Sequence, residues 1–407
     1  MRRATAMLAA GLTAALIGAT GCGSPSDEPA PAPDVDLSKL DVGNYNTTPR
    51  EIQKSVFDRA RFSEGQRLSS VVPLPMDIDP RFTIQHGVAN PYQVLAFINV
   101  EKGLGKSATG FDSNGNGFIA GFRSSAYSDS DIGIGLTLAV SVLLFQDEQS
   151  AAAAATTLAD LRLSQTDAAE RVRIDKFPAA LVQWKPGSPE IEGFLASGRY
   201  VIYTHNKDYA KESLRDEGIL AVPPDLPAMT SLVIKSLETV QPRLSAFQPT
   251  PYDQLADLAL DHDGMLGRSL QKPDDEKKRD AAGLYDRVGG LHLSIDPAKD
   301  RTLFDETGVD WVANHAGLVY RAKDAASAQR ITADRAVVPR LYRRADSPQN
   351  LPGAKCREFR GSDMFIPRFH CTVTYDRYSA ESWSSQLTDA QQRISAQYAL
   401  LANADAE

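Results

Sequence analysis

Between Ile132 and Phe145 fourteen residues carry no charge. Ile132, Ile134, Leu136, Leu138, Val140, Val142 and Leu144 share one parity, while Gly133, Gly135, Thr137, Ala139 and Ser141 take the other. A period of two predicts a strand with one strongly buried face. At Gln146 the pattern changes. Asp147 is placed to cap a helix running through Ala151–Ala155, Leu158 and Leu161. Strand-like runs follow at Ala179–Trp184 and Phe194–Thr204, then a polar segment with Pro223-Pro224. A helix from Pro227 sets Val233, Leu237 and Val240 on one face and ends before Pro242.

The same succession recurs. Trp311–Ala322 reads as a strand, Asp324 caps Ala325–Arg335, Lys355–Phe359 and Phe369–Tyr375 read as strands, and Gln386–Ala402 is a helix with Ile394, Tyr398 and Leu401 on one face. Tyr320 follows Phe145 by 175 residues, Asp324 follows Asp147 by 177 and Tyr378 follows Tyr200 by 178. In the closing helices the interval drops to 161, so the first copy holds about sixteen additional residues near Lys207–Pro224. This spacing predicts an α+β chain of two related β-α-β-β-α (ferredoxin-like) units. Their sheets are mainly antiparallel, with helices on one face, and they descend from an internal duplication.

Outside the repeat, Thr48 is placed to cap a helix with Pro49 at its first position, continued by Ile52, Val56 and Phe57. Gln248-Pro249-Thr250-Pro251 is the best boundary, dividing residues 37–250 from 251–407. Pro251–Leu260 reads as a short helix, and Leu291–Ile295 as a strand entering the second unit.

The first residues carry an address. Arg2 and Arg3 precede an uncharged run with Met7, Leu8, Leu12, Leu16 and Ile17, and Ala19-Thr20-Gly21 leads into Cys22. A basic start, an apolar middle and small residues before a cysteine predict a lipoprotein signal peptide over residues 1–21. Cys22 is then the lipidated first residue of the mature chain. Residues 22–36, rich in Pro, form an extended tether. The expected place of work is the extracytoplasmic face of the plasma membrane, reached through the N-terminal lipid.

The chain has three cysteines. With Cys22 lipidated, Cys356 and Cys371 remain as a pair in an oxidising space. They flank two short strands, so a disulfide between them staples a hairpin. The 407 residues carry a formal net charge of −8 and no long Lys/Arg run, which argues against the clustered phosphate contacts of nucleic-acid binding and against a polybasic membrane patch.

Catalytic and metal motifs are sparse. Asp112-x-Asn114-x-Asn116-Gly117 begins like a calcium loop, but its twelfth position is Arg123 rather than a carboxylate, so a turn is the better reading. Asp261-His262-Asp263-Gly264 reads as a turn as well. Gly105-Lys106-Ser107 lacks the first glycine of a phosphate loop. His86, His205, His262, His292, His315 and His370 are scattered without the i,i+4 spacing of a zinc helix. No catalytic residue, metal site or cofactor is assigned.

Leu40-Asp41-Val42-Gly43-Asn44-Tyr45 with Thr48-Pro49-Arg50 opens a series of short motifs. It continues through Gln66-Arg67-Leu68, Val71-Val72-Pro73-Leu74-Pro75, Ala120-Gly121-Phe122, and Asp310-Trp311 to Val319-Tyr320-Arg321-Ala322-Lys323-Asp324. In this order the motifs resemble a two-part lipoprotein family of mycobacteria and related mycolic-acid actinomycetes. The resemblance covers almost all the mature chain. It implies an envelope lipoprotein and carries over no catalytic residue. The expectation is a non-enzymatic protein with a binding or structural role, its partner an envelope lipid, a glycan or a protein. The alternative is an extracytoplasmic hydrolase whose His, acid and Ser meet only in the fold.

Overall fold

The computed structural model describes residues 35–407 apart from 53–56, 86–91, 96–99, 114, 129–134, 219–222, 274–281, 362–365 and 405–407. Cys22, the signal peptide, the tether to Asp34, and Ile132 and Ile134 of the alternating run lie outside the described residues.

The first half runs through α1 (Phe57–Leu68), the single turn α2 (Pro75–Ile78), β1 (Tyr92–Leu95), the short α3 (Val100–Leu104), β2 (Phe118–Tyr127) and β3 (Leu136–Phe145). It continues with α4 (Glu148–Gln165), β4 (Glu170–Val172), β5 (Leu181–Trp184), β6 (Glu190–Ser197), β7 (Tyr200–Asp208), α5 (Tyr209–Asp216) and α6 (Leu226–Val240). The second half holds β8 (Gly283–Asp286), α7 (Arg287–Gly290), α8 (Pro297–Thr307), β9 (Trp311–Asn314), β10 (Gly317–Arg321) and α9 (Ala325–Arg335). After these come β11 (Tyr342–Ala345), β12 (Lys355–Phe359), β13 (Phe369–Tyr375), β14 (Tyr378–Ser384) and α10 (Leu387–Ala404).

Each half builds one seven-stranded antiparallel sheet. The orders are β1-β2-β3-β7-β6-β5-β4 and β8-β9-β10-β14-β13-β12-β11, the same path traced twice. The expected β-α-β-β-α (ferredoxin-like) unit of three strands is therefore corrected to a sheet of seven strands in each half. Part of the difference lies in two turns inside runs that read as single strands, one in each half. Phe194–Thr204 is not one strand: the chain reverses at Gly198, whose φ of 56° suits a residue without Cβ, and Ser197 faces Tyr200. Trp311–Ala322 likewise splits into β9 and β10 around His315-Ala316. In the second sheet the matching turn puts Asp376 at φ 44°, and Tyr375 faces Tyr378.

The register defines the equivalences. Leu144 pairs with Tyr200, and Arg321 with Tyr378. Phe145 therefore corresponds to Ala322 rather than to Tyr320, two residues from the match suggested by the spacing. The helix caps coincide as expected: the Asp147 carboxylate accepts from the Ser150 amide and the Asp324 carboxylate from that of Ser327, each at 2.7 Å.

Helices cover both faces of each sheet, not one. In the first half, Ala151, Ala154 and Leu158 of α4 pack on Leu143, Phe194 and Val201, while Val233 and Leu237 of α6 close the opposite face over Val142 and Ile202. In the second, Ala328 and Ile331 of α9 lie on Leu318 and Tyr320, and Ile394 and Tyr398 of α10 on Val319 and Val373. Burying one fully apolar side chain of this kind stabilises by about 1.5–3 kcal/mol, so both layers contribute.

The segment before α1 packs on the far half. Leu40 sits in the core beneath α10, and Tyr45 donates to Asp389 at 2.6 Å. The expected helix from Pro49 does not form there, since residues 49–52 are irregular and the Arg50 amide donates to the Gly267 carbonyl. Conversely, Leu255, beyond the Pro-rich boundary, belongs to the first core. His292 lies in a 3-10 turn, Leu291–Leu293, instead of the expected strand. Asp34–Glu407 is one compact unit.

Candidate functional site

The hairpin of β6 and β7 creates a cluster of charges. Alternation puts Glu190, Glu192 and Phe194 on the α4 face, and the register sets Lys207, His205 and Tyr203 opposite them in that order. From α4 comes Arg162, from β2 Arg123, and from α5 Glu212. With Gly103, Leu104 and Gly105 these side chains line a cleft of about 390 Å³.

Most of its charges are matched. Arg162 Nε donates to Glu192 Oε2 at 2.7 Å and its Nη2 to Glu190 Oε1 at 3.3 Å. The Tyr203 hydroxyl donates to Glu192 at 3.2 Å, His205 Nε2 lies 2.9 Å from Glu190 Oε1, and Lys207 Nζ is 2.9 Å from Glu212. Burial pushes the Glu190 pKa up, but the His205 hydrogen bond and the charges of His205, Lys207 and Arg162 outweigh it and bring the pKa to about 2. Glu190 is thus held in its charged form by these neighbours. Ligand atoms of Glu190, Glu192 and His205 fall within 4.8 Å of one another, close enough for a metal ion. A cation there has to compete with Arg162 and Lys207, which already neutralise these carboxylates.

Arg123 differs from the other cations. Its Nη1 donates to the Gly103 carbonyl at 2.7 Å. Among the described residues no carboxylate reaches it within ion-pair distance. Burial lowers its pKa, and Tyr203, Tyr209 and Glu192 offset this only through space. A guanidinium has five N–H donors in a fixed fork suited to a carboxylate or phosphate.

In the second half the equivalent place is filled. By register, Tyr203 corresponds to Glu381 and Glu192 to His370. There Arg335 plugs the space, pairing with Asp300 at 2.7 Å and lying 3.5 Å from Glu381, and only about 10 Å³ remains. The open cleft goes with the insertion unique to the first half, since α5 and its Glu212 have no counterpart.

The residues singled out from sequence are placed as follows. Cys356 and Cys371 face each other across β12 and β13 and are joined by a disulfide. Asp112 accepts from the Gly115 amide in a turn; Asn114 lies outside the described residues. Asp261 accepts from the amides of Leu266 and Gly267, and His262 stacks on Trp311. Gly105–Ala108 is a 3-10 turn. A Ser–His pair exists: Ser124 Oγ lies 3.0 Å from His292 Nδ1, and Nε2 is 3.1 Å from the Val72 carbonyl. It is sealed, His292 being 1% exposed, and burial lowers its pKa to about 4. With both ring nitrogens engaged inside the core, this histidine ties its 3-10 turn in the second half to Ser124 and Val72 of the first. The reading from sequence missed the cleft. Its signal was present as Glu-x-Glu on one strand and Tyr-x-His-x-Lys on the next, hidden by the unrecognised turn at Gly198.

The N-terminal profile of a domain of unknown function, DUF7373, matches residues 53–260, and its C-terminal profile matches residues 265–404. The chain belongs to the DUF7373 family. The two profiles of DUF7373 divide the chain as the two sheets do. No curated protein matches at a significant level. Among solved structures, the extracellular domain of PknH from Mycobacterium tuberculosis aligns over 46% of this chain and 97% of its own, with 11% identity and a TM-score of 0.27. That likeness is too slight to define a shared fold.

Proposed function

We propose that this DUF7373 protein is a lipid-anchored extracytoplasmic protein that binds a small anionic ligand in the cleft of its first half, without catalysis. Arg123 carries the reading: a desolvated guanidinium facing a cleft, with no carboxylate of its own among the described residues. Such a charge is costly to leave unpaired and is relieved by a ligand carboxylate or phosphate. The polar lining disfavours an acyl chain. Against the hydrolase alternative, no Ser, Thr or Cys lines the cleft among the described residues, and the Ser124–His292 pair is sealed.

The anchoring part rests on the Arg2–Cys22 segment. Cys22→Ser is expected to move the protein out of membranes washed with about 1 M salt, which strips electrostatic surface binding but not a lipid anchor, and into the soluble fraction; retention in the washed membrane contradicts the anchor. For the ligand, calorimetric titration of succinate and inorganic phosphate into the full chain gives binding heat that Arg123→Met abolishes. Equal heats in both proteins contradict the site.

A further inference from the structure

The edge of the second sheet has a character opposite to that of the whole chain. The net charge is −8, yet Arg340, Arg343, Arg344, Lys355, Arg357 and Arg360 cluster at β11 and β12 against only Asp346 and Glu358. Glu358 is taken by Arg343 and Arg368. Arg344 stands directly across from Arg357, a like-charge cross-strand pair that is unfavourable without a counter-ion. Among the described residues, Arg340, Arg344, Arg357 and Arg360 have no carboxylate within ion-pair distance.

Beside these cations lies exposed apolar surface. Val337 is 55%, Val338 37% and Leu341 56% exposed. The two sets are physically joined: Arg357 Nη1 donates to the Val337 carbonyl at 2.6 Å, and the Arg360 amide donates to the Leu341 carbonyl at 2.8 Å. Arginines alone on an edge strand are a common guard against edge-to-edge pairing. Exposed aliphatics in the same loop work against that purpose, so protection does not account for the patch.

We infer that this edge docks on a bilayer surface rich in anionic lipid. The arginines meet headgroup phosphates, and Val337, Val338 and Leu341 enter the boundary between headgroup and acyl chain. Basic residues supply long-range attraction and aliphatics the short-range term, the combination found at membrane-surface sites. An anionic polymer satisfies the arginines but gives the aliphatics nothing to bury in. The inference is independent of what the cleft binds.

The test uses the mature chain from residue 22 carrying Cys22→Ser, so that neither the apolar signal peptide nor a lipid is present, floated with vesicles of phosphatidylglycerol or of phosphatidylcholine. The chain should bind phosphatidylglycerol in preference to phosphatidylcholine. Adding Arg340→Glu with Arg344→Glu should weaken that binding by more than about tenfold at low salt. Adding Val337→Ser with Leu341→Ser instead should weaken it several-fold (about threefold or more). All four side chains are at the surface, so folding should persist, as circular dichroism checks. Equal binding by all three proteins overturns the inference. So does a loss confined to the arginine variant, with soluble polyphosphate displacing the parent fully, because that pattern belongs to a polymer partner.

Discussion

Phe145 and Ala322 hold the same place in the two halves. The Phe145 amide donates to the Arg199 carbonyl and the Ala322 amide to the Arg377 carbonyl, each at 2.9 Å. The side chains answer in kind: Arg199 Nε donates back to the Phe145 carbonyl at 3.1 Å, and Arg377 Nε to that of Ala322 at 2.9 Å. Two chemically different residues thus end equivalent strands, each clasped by an arginine from the following hairpin turn.

This clasp predicts matched energetics. Arg199→Ala and Arg377→Ala should each cost about 1 kcal/mol, the worth of one such hydrogen bond, and the double variant about twice that. Urea unfolding measures it. A cost in one half and none in the other contradicts the equivalence.

The buried His292 predicts an acid limb. Its pKa is about 4 in the folded chain and near 6.5 when unfolded, so below pH 6.5 the unfolded state binds more protons. Stability is therefore intact above about pH 6.5, falls as pH drops towards 4 and then levels. The contribution lost is on the order of 3 kcal/mol. His292→Gln keeps an acceptor for Ser124 and a donor for Val72 but cannot titrate; denaturant midpoints followed from pH 8 to 4 should lose this limb. An unchanged limb in the variant assigns it to other groups.

How much of this was legible varies with the physical signal. The alternation through Leu136–Leu144 and the Asp147 and Asp324 caps are local, so strand, helix starts and the repeated order were readable from sequence. Gly198-Arg199 and Asp376-Arg377 each turn the chain in two residues; so short a polar break also fits one continuous strand, so the first hairpin was not legible, and β14 beyond the second was not recognised either. With the hairpin at Gly198 unseen, Glu192 and His205 could not be recognised as cross-strand neighbours. Arg123 joins them only through the β2-β3-β7 order, which no local pattern encodes. The additional residues near Lys207–Pro224 did mark where the halves diverge, and the cleft's Lys207 and Glu212 fall within that stretch.

The Cys356–Cys371 bridge closes a loop of 15 residues. Replacing both with Ala should lower stability by about 3 kcal/mol in the chain-entropy account. Unreduced peptide mapping should join these two cysteines to each other; a map joining either one to Cys22 contradicts the pairing.

Arg162 and Arg123 should respond in opposite ways to removal. Arg162→Met takes from Glu190 and Glu192 the guanidinium they share and should cost about 3 kcal/mol, or roughly 4 °C in a chain of this size. A group kept for a ligand at the expense of stability behaves otherwise. The most direct measurement is the thermal unfolding of Arg123→Met beside the parent, with and without about 10 mM succinate or phosphate. The binding reading predicts that the variant unfolds at or above the parent's temperature and no longer gains from the anions that stabilise the parent. A variant that unfolds several degrees lower (about 4 °C or more), with the anion response intact, makes Arg123 a structural residue and contradicts the site.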